Sequence, residues 1–211
     1  MASIHTDRGF DRLVNFTDAA VAIAITLLVL PLVDLVTEDK VVSVGDIFSE
    51  NRATFIAFAI SFVIIAGFWI SHHRLFESLR DYSRGMMWAN FLWLASIVFI
   101  PFTTQLVAEV DVNGRAVLAL YIGTMVVATG SLTLILWLAV RNPELQSPEI
   151  RGALDVRGSL VGVGLRVLCL ILAVLVPVVG LWWLLLIFLT VPINRALGFP
   201  MPGVHDKSHS A

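Results

Sequence analysis

The sequence predicts an all-α integral membrane protein with six transmembrane helices and both termini on the cytoplasmic side. Three observations lead to this prediction: the apolar composition, six long apolar segments, and an uneven distribution of positive charge. Of the 211 residues, 58% are hydrophobic and 14% are charged, whereas soluble domains average about 45–50% and about 25%. A chain of this size cannot bury so much apolar surface in a water-soluble core, so most of it must meet lipid.

Six segments meet or approach the length of about 20 apolar residues that a transmembrane helix requires. The first four extend over about residues 14–36, 53–76, 86–107 and 116–140. The apolar stretch from Ser159 to Arg195 is too long for one span, and Pro177 and Gly180 interrupt it. We therefore divide it into helices at about 159–177 and 180–195, with one long tilted helix as the alternative. The segments lack the alternation of membrane β-strands.

Positive charge predicts the orientation of these helices. If the N-terminus is cytoplasmic, ten Lys and Arg residues lie inside and three lie outside, an asymmetry that supports an even number of spans. The inside set is Arg8, Arg12, Arg74, Arg80, Arg84, Arg141, Arg151, Arg157, Arg195 and Lys207, and the outside set is Lys40, Arg52 and Arg115. Arg166 falls inside the fifth span. The localisation that this predicts is a multi-pass protein of the cell membrane.

The two ends of the chain differ from its apolar body. We recognise no cleavable signal peptide, so the first apolar segment is expected to remain as a spanning helix. Residues 1–198 are expected to form one membrane domain. Residues 199–211, which are rich in Pro, Gly and Ser, are expected to be a disordered cytoplasmic tail.

The remaining composition excludes several classes of function. A net charge of −2 provides no basic excess for nucleic-acid binding. The single cysteine, Cys169, lies in an apolar stretch and is expected to be a small buried hydrophobe. No P-loop, dinucleotide fingerprint or metal-binding spacing is found, so we predict no enzyme, no cofactor and no metal site.

Ionisable and polar residues at membrane depth are costly and therefore indicate a role. Asp18 lies near the cytoplasmic end of the first helix. It either stabilises the helix start through the helix dipole, with Asp11 and Asn15 as caps, or belongs to a buried network that fixes this helix to a neighbour.

A second polar group lies at the same membrane level. Trp69, His72, His73 and Arg74 end the second helix, and Trp69 and His73 share one face because they are four residues apart. They are either an interfacial anchor, a set of partners for Asp18, or a proton relay. Asn90 enters the third helix at this level, and mutual hydrogen bonding would satisfy all three helices.

The middle of the first helix has almost no polarity. Ala20, Ile23, Leu27, Leu30 and Asp34 follow helical spacing and form one stripe, apolar at mid-membrane and acidic at its outer end. From spacing alone, this stripe faces lipid or packs against another helix.

The motifs together resemble a known family. The residues RLVNFTD, from Arg12 to Asp18, resemble the R-x-x-x-F-S-D signature of the transmembrane protein 175 family of endolysosomal and prokaryotic potassium channels. FWISHHRLF at 68–76, Asn90, and IPFTT at 100–104 are similar to that family's second and third helices. The family serine is Thr17 here, which keeps the hydroxyl but adds a methyl group.

The resemblance implies a potassium-permeable homotetramer in which the first helix of each subunit lines a central pore. It places the pore constriction at Ile23, continued by Leu27 and Leu30, with Asp34 at the pore mouth. An apolar constriction gates by dewetting and predicts modest selectivity, with Thr26 as a possible hydroxyl ring. The structural network implied by the signature comprises Arg12, Phe16, Thr17, Asp18, Trp69, His73 and Asn90.

Three other classes of protein were weighed against a channel. A small secondary transporter would show inverted repeats and helices broken at mid-membrane, whereas Pro31, Pro101 and Pro177 lie near the ends of their predicted spans. An intramembrane enzyme would need a nucleophile or metal set beside the histidines. A scaffold protein would carry no flux. The partners that we expect are potassium ions, the lipid bilayer and further copies of this chain, and no nucleic acid.

Overall fold

The computed structural model describes residues 7–37, 43–109 and 114–199. It contains six helical segments that are long and apolar enough to cross a membrane, which confirms the predicted helical membrane fold. These segments are Gly9–Leu35, Arg52–Glu77, Arg84–Glu109, Arg115–Arg141, Arg157–Leu175 and Pro177–Ala196. The predicted tail lies outside the described residues from position 200 onward, as do Lys40 and Lys207.

The chain forms eight α-helices within the described ranges, and lipid explains the preference, because a helix satisfies its backbone polar groups internally. They are α1 (Asp7–Leu27), α2 (Leu30–Thr37), α3 (Val44–Glu50), α4 (Arg52–Glu77), α5 (Arg84–Glu109), α6 (Arg115–Arg141), α7 (Arg157–Leu175) and α8 (Thr190–Ala196). A 3₁₀ segment, Pro177–Leu189, precedes α8 and continues into it.

The first span is not the single continuous helix that the sequence predicted at about 14–36. It breaks at Leu28 and Val29, between α1 and α2. The amides of these two residues turn to carbonyls three residues back, Ile25 O at 3.3 Å and Thr26 O at 3.2 Å. Pro31 explains the break, because it has no N–H for the Leu27 carbonyl and its ring clashes with that carbonyl.

The last apolar stretch is divided, as predicted, and is not one long helix. α7 ends at Leu175, and the next segment begins at Pro177, where a missing N–H is tolerated. Gly180 has φ 60° and ψ −137°, a conformation that residues with a side chain rarely adopt. The indole N–H of Trp183 donates to Val176 O at 3.1 Å and holds the turn closed.

The order of helix packing places α1 and α7 on different sides of the bundle. α5 packs against α1, α4 and α6, and α6 packs in turn against α7. α7 contacts the 3₁₀ segment and α8. Buried apolar residues of α5 and α6, among them Trp93, Ile97, Tyr121 and Ile122, form the centre of the main core.

Candidate pore helix and its anchoring network

α1 has one buried and one exposed face. Its buried face packs against α4 and α5 and consists of Leu13, Thr17, Val21 and Ala24, and Leu28 in the break beyond α1 is buried as well. The opposite face is apolar at mid-membrane and exposed, and it continues onto α2: Ile23 retains 60% of its accessible surface, Leu27 38% and, at the start of α2, Leu30 52%. The three residues expected at the constriction therefore lie on the face of the first span that no described part of this chain covers.

The break between α1 and α2 falls within this exposed face. Leu27 is the last residue of α1 and Leu30 the first of α2, so the two side chains belong to different helical segments. The exposed Thr26 lies beside them, and its hydroxyl donates to Ile23 O at 2.8 Å. Since the hydrogen is used within the helix, the lone pairs of the Thr26 oxygen remain as acceptors on the exposed side.

A buried hydrogen-bonded network fixes the other face of α1. The Asn90 amide of α5 donates to Thr17 Oγ1 at 2.9 Å, and Thr17 in turn donates to Leu13 O at 2.8 Å. The second end of the Asn90 amide, Oδ1, lies 2.8 Å from His72 Nε2 of α4. Thr17, Asn90 and His72 are each 0% exposed. One amide thus joins three helices in a fully buried layer.

The His72 ring is held between two aromatic rings. It stacks on Phe76 with centroids 4.1 Å apart and on Trp93 with centroids 4.3 Å apart, both at 19°. This sandwich fixes the imidazole plane, so that Nε2 points at Asn90. Since Asn90 Oδ1 is an acceptor, Nε2 must carry the hydrogen in this pair.

A second, more exposed link joins α1 to α4. The indole N–H of Trp69 donates to Asp18 Oδ1 at 2.9 Å. The His73 ring stacks on Trp69, with centroids 5.2 Å apart, and its Nε2 lies 3.2 Å from Glu77 Oε1. Asp18 is therefore an anchor to α4. The alternative role at the helix start does not fit, because α1 begins at Asp7 and leaves Asp11 and Asn15 within the helix.

The structure brings only part of the sequence-predicted network together. Asn90 contacts Thr17, and Trp69 contacts Asp18, whereas His73 reaches α1 only through Trp69. Arg12 is exposed and makes no hydrogen bond or ion pair with a described residue. Phe16, 56% exposed, meets the edge of Phe91 with centroids 6.4 Å apart. Asp34 is exposed on α2.

Sequence reasoning missed two parts of the arrangement. It placed His73 in the network in preference to His72, which is the residue bonded to Asn90. The buried positions Ile65, Phe68, His72 and Phe76 follow helical spacing, and this pattern was a usable signal. The second omission is a buried cluster in which Ser61 lies 2.8 Å from the Tyr121 hydroxyl and accepts from Thr104 at 2.7 Å.

This geometry provides a rigid support for an exposed apolar helix face. The network is buried, shared by three helices, and built from groups that are costly to leave unpaired in lipid. Among the described residues, no group of three or more His, Cys, Asp or Glu side chains is placed to hold a metal ion. The arrangement is therefore suited to holding α1 in a fixed position against α4 and α5.

Comparison with known proteins finds a family profile and relatives that resemble part of the chain. Residues 12–101 match the family profile described as endosomal/lysosomal potassium channel TMEM175. A potassium channel of Chamaesiphon minutus is 34% identical over 108 residues, which is 50% of this chain and 52% of that protein. A potassium channel of Streptomyces collinus is 28% identical over 142 residues, covering 66% and 68% of the two chains. The match to the first of these relatives thus spans about half of its length.

A solved structure has the same fold over most of the chain. The crystal structure of a lysosomal potassium-selective channel TMEM175 homolog from Chamaesiphon minutus superposes with a TM-score of 0.65. The superposition covers 90% of this chain and 97% of that one, at 24% identity. The likeness of fold therefore extends well beyond the first three spans, in which the sequence motifs lie.

Proposed function

Because residues 12–101 match the family profile described as endosomal/lysosomal potassium channel TMEM175, we propose that this chain is a member of that family and a potassium-permeable cation channel whose pore is lined by α1. The observation that carries the proposal is the exposed face of α1. Ile23, Leu27 and Leu30 remain uncovered, while the opposite face is fixed to α4 and α5 through Asn90 and Trp69. An anchored helix with an uncovered face is suited to meet copies of itself.

The assembly that we propose is a homotetramer with α1 of each subunit around a central axis. Both termini lie in the cytoplasm and the protein resides in the plasma membrane. The charge asymmetry supports this orientation, because the ends of the spans at Arg74, Arg84, Arg141 and Arg157 share one membrane face. The function is passive conduction of potassium ions, without catalysis.

The gate in this proposal is a ring of Ile23 side chains. Water leaves a narrow apolar constriction, and an ion then faces a desolvation barrier, so a small outward shift or rotation of α1 opens the path. Leu27 and Leu30 continue the apolar lining. The break between them sets the direction of Leu30 independently of Ile23, since they belong to different helical segments.

Two polar groups, Asp34 and Thr26, lie on the outer side of Ile23 and act on the ion there. Asp34 on α2 raises the local cation concentration at the pore mouth. A ring of Thr26 hydroxyl oxygens offers acceptors to a partly hydrated cation, because each hydroxyl hydrogen is directed to Ile23 O. Such a path lacks a close-fitting cage of oxygens, so selectivity for potassium over sodium is expected to be modest. Reversal potentials in mixed solutions measure it, and a strongly selective channel would contradict a largely apolar path.

Purified protein in liposomes tests the proposal. Potassium flux that does not saturate, together with unitary current steps in planar bilayers, is the expected result. Saturating flux coupled to protons would instead indicate a secondary transporter, and the absence of flux at verified reconstitution would indicate a scaffold. Protein-free liposomes carried through the same steps provide the control.

A further inference from the structure

Arg166 is a cation in the middle of a membrane-spanning helix, and the described part of the chain gives it no carboxylate partner. It lies on α7 (Arg157–Leu175), where its Nη1 donates to Gly162 O at 3.2 Å. Its Nε is buried without a hydrogen-bond partner. Its guanidinium lies 5.5 Å from the centroid of the Phe68 ring. An ionisable group at such a position is expensive and indicates a binding role.

The guanidinium is directed toward the arginine-rich membrane face. Nη1 reaches back one helical turn to Gly162, which lies about 7–8 Å along the axis from the first residue of α7. Gly162 provides the room, because a Cβ there would come within 3.4 Å of Nη1. The charge is therefore close to the level at which hydrocarbon gives way to lipid headgroups.

α8 provides a second unpaired polar atom where it packs against α7, a contact that we call the α7/α8 seam. The Asn194 amide donates to Gly158 O at 3.3 Å, while its Oδ1 is buried and accepts no hydrogen bond. Thr190, one turn earlier on α8, approaches Gly162. Gly158 and Gly162 are one turn apart, so α7 and α8 carry an unpaired donor and an unpaired acceptor along one seam. A headgroup that carries both a phosphate and hydroxyl groups supplies the complementary atoms.

Two further arginines flank the seam at the end where α7 begins and α8 ends, on the arginine-rich membrane face. Arg157 precedes Gly158 and Arg195 follows Asn194, and both side chains are exposed. Arg157 has one acidic neighbour, with its Nε 4.0 Å from Asp155 Oδ2 and its backbone N–H donating to Asp155 Oδ1 at 2.8 Å. The three arginines together leave an excess of positive charge where α7 and α8 reach the membrane surface.

The surroundings favour a lipid over a carboxylate from a second copy. α7 and α8 pack mainly with α6 and the 3₁₀ segment, and Arg166 also approaches Phe68 of α4, so the seam does not belong to the exposed face of α1 that the proposed assembly covers. Arginine binds phosphate oxygens through two parallel hydrogen bonds, and basic pockets between helices at a membrane surface recognise anionic headgroups. From these observations we propose that the α7/α8 seam binds the phosphate of an anionic phospholipid, with Arg166 as its central ligand and Arg157 and Arg195 at its rim.

Lipid titration of the purified full-length chain in detergent, followed by native mass spectrometry, tests this site. Phosphatidylglycerol is the probe, phosphatidylcholine is the zwitterionic comparison, and inorganic phosphate is the soluble anion. We expect phosphatidylglycerol to bind more tightly than phosphatidylcholine and Arg166→Gln to weaken it about tenfold, as the loss of charge-assisted hydrogen bonds implies. Arg166→Lys keeps the charge without the planar fork, so its affinity for phosphatidylglycerol should lie between those of the wild type and of Arg166→Gln. Arg115→Gln removes an exposed arginine at the opposite membrane face and should change nothing.

Each other outcome overturns the proposal. Equal affinity of wild type and Arg166→Gln for phosphatidylglycerol would exclude the site. If that variant instead loses its oligomeric state, the guanidinium meets a carboxylate of a second copy. Competition by inorganic phosphate at concentrations equal to those of the lipid would indicate a soluble-anion site. The double variant Arg157→Gln/Arg195→Gln changes only exposed side chains, so it decides the matter if Arg166→Gln does not fold, and unchanged lipid affinity in it refutes the proposal.

Discussion

Replacing Asn90 by alanine is the sharpest perturbation of the anchoring network. The change removes the donor to Thr17 Oγ1 and the acceptor that faces His72 Nε2, two contacts between different helices at 2.9 and 2.8 Å. It leaves Thr17 its bond to Leu13 O, but it leaves the imidazole without any partner, since His72 Nδ1 already has none.

The expected cost follows from these contacts. Hydrogen bonds between membrane helices average about 0.6 kcal/mol and reach about 1.7 kcal/mol, and a buried polar group left unpaired costs about 1–3 kcal/mol. The two contributions overlap at His72, so a total of about 2–3 kcal/mol is expected, which is roughly 30–150-fold in the unfolding equilibrium. The expected loss of stability exceeds the average for one hydrogen bond because Thr17, His72 and Asn90 are all completely buried.

Reversible unfolding in mixed micelles with added dodecyl sulfate measures this loss of stability. Asn15→Ala is the matched control, because Asn15 is an exposed asparagine of α1 without a hydrogen bond to a described residue. We expect the control to change stability by less than about 0.5 kcal/mol. Equal, small losses in both variants would refute the claim that Asn90 joins the three helices.

Three other predictions follow from the same geometry. Thr17→Val should lower the free energy of unfolding by about 1 kcal/mol, and its effect should be non-additive with that of Asn90→Ala in a double-mutant cycle. Thr17→Ser keeps the hydroxyl, so the coupling to Asn90 should remain in that variant. Trp69→Phe keeps the ring but removes the donor to Asp18, so a loss of about 1 kcal/mol in the same unfolding assay is expected at this half-exposed site, and no loss would assign Asp18 another role. Asp34→Asn should lower conductance at low ionic strength, and the difference should vanish near about 1 M salt; a reduction that persists at high salt would mean that Asp34 acts structurally.

The membrane fold followed from the sequence because its cause is local. Apolar length alone selects a spanning helix, and a proline followed by a glycine divides the last stretch, as Pro177 and Gly180 do. Pro31 lies near the end of the span predicted at about 14–36, and no break was predicted before it. Its effect lies on the carbonyl four residues earlier, Leu27, so the helix breaks within the exposed stripe.

The side-chain network was only partly predictable because it depends on which helix faces meet. Trp69 and Asp18 were paired by membrane level, and the structure joins them at 2.9 Å. The choice between His72 and His73 was different, since adjacent residues point about 100° apart on a helix. Only the packing of α5 against α4 decides that His72 is the one beside Asn90.

Arg166 shows another limit of reasoning from a single chain. Its position in the fifth span was evident from the sequence. The sequence did not show that its Nε is buried without a partner, or that Asn194 lies on the same seam. Both facts depend on the close approach of α7 and α8, in which Gly158 and Gly162 are buried and provide space.

The central claim, that the exposed face of α1 lines the ion path, is tested most directly by unitary conductance of Ile23→Asn in planar bilayers. Ile56→Asn is the matched control, since Ile56 has nearly the same exposure, 56% against 60%, but lies on α4. We expect larger current and weaker selectivity for potassium over sodium in Ile23→Asn, because an amide keeps the constriction hydrated. Wild-type conductance and selectivity in Ile23→Asn, or an equal change in both variants, would contradict it.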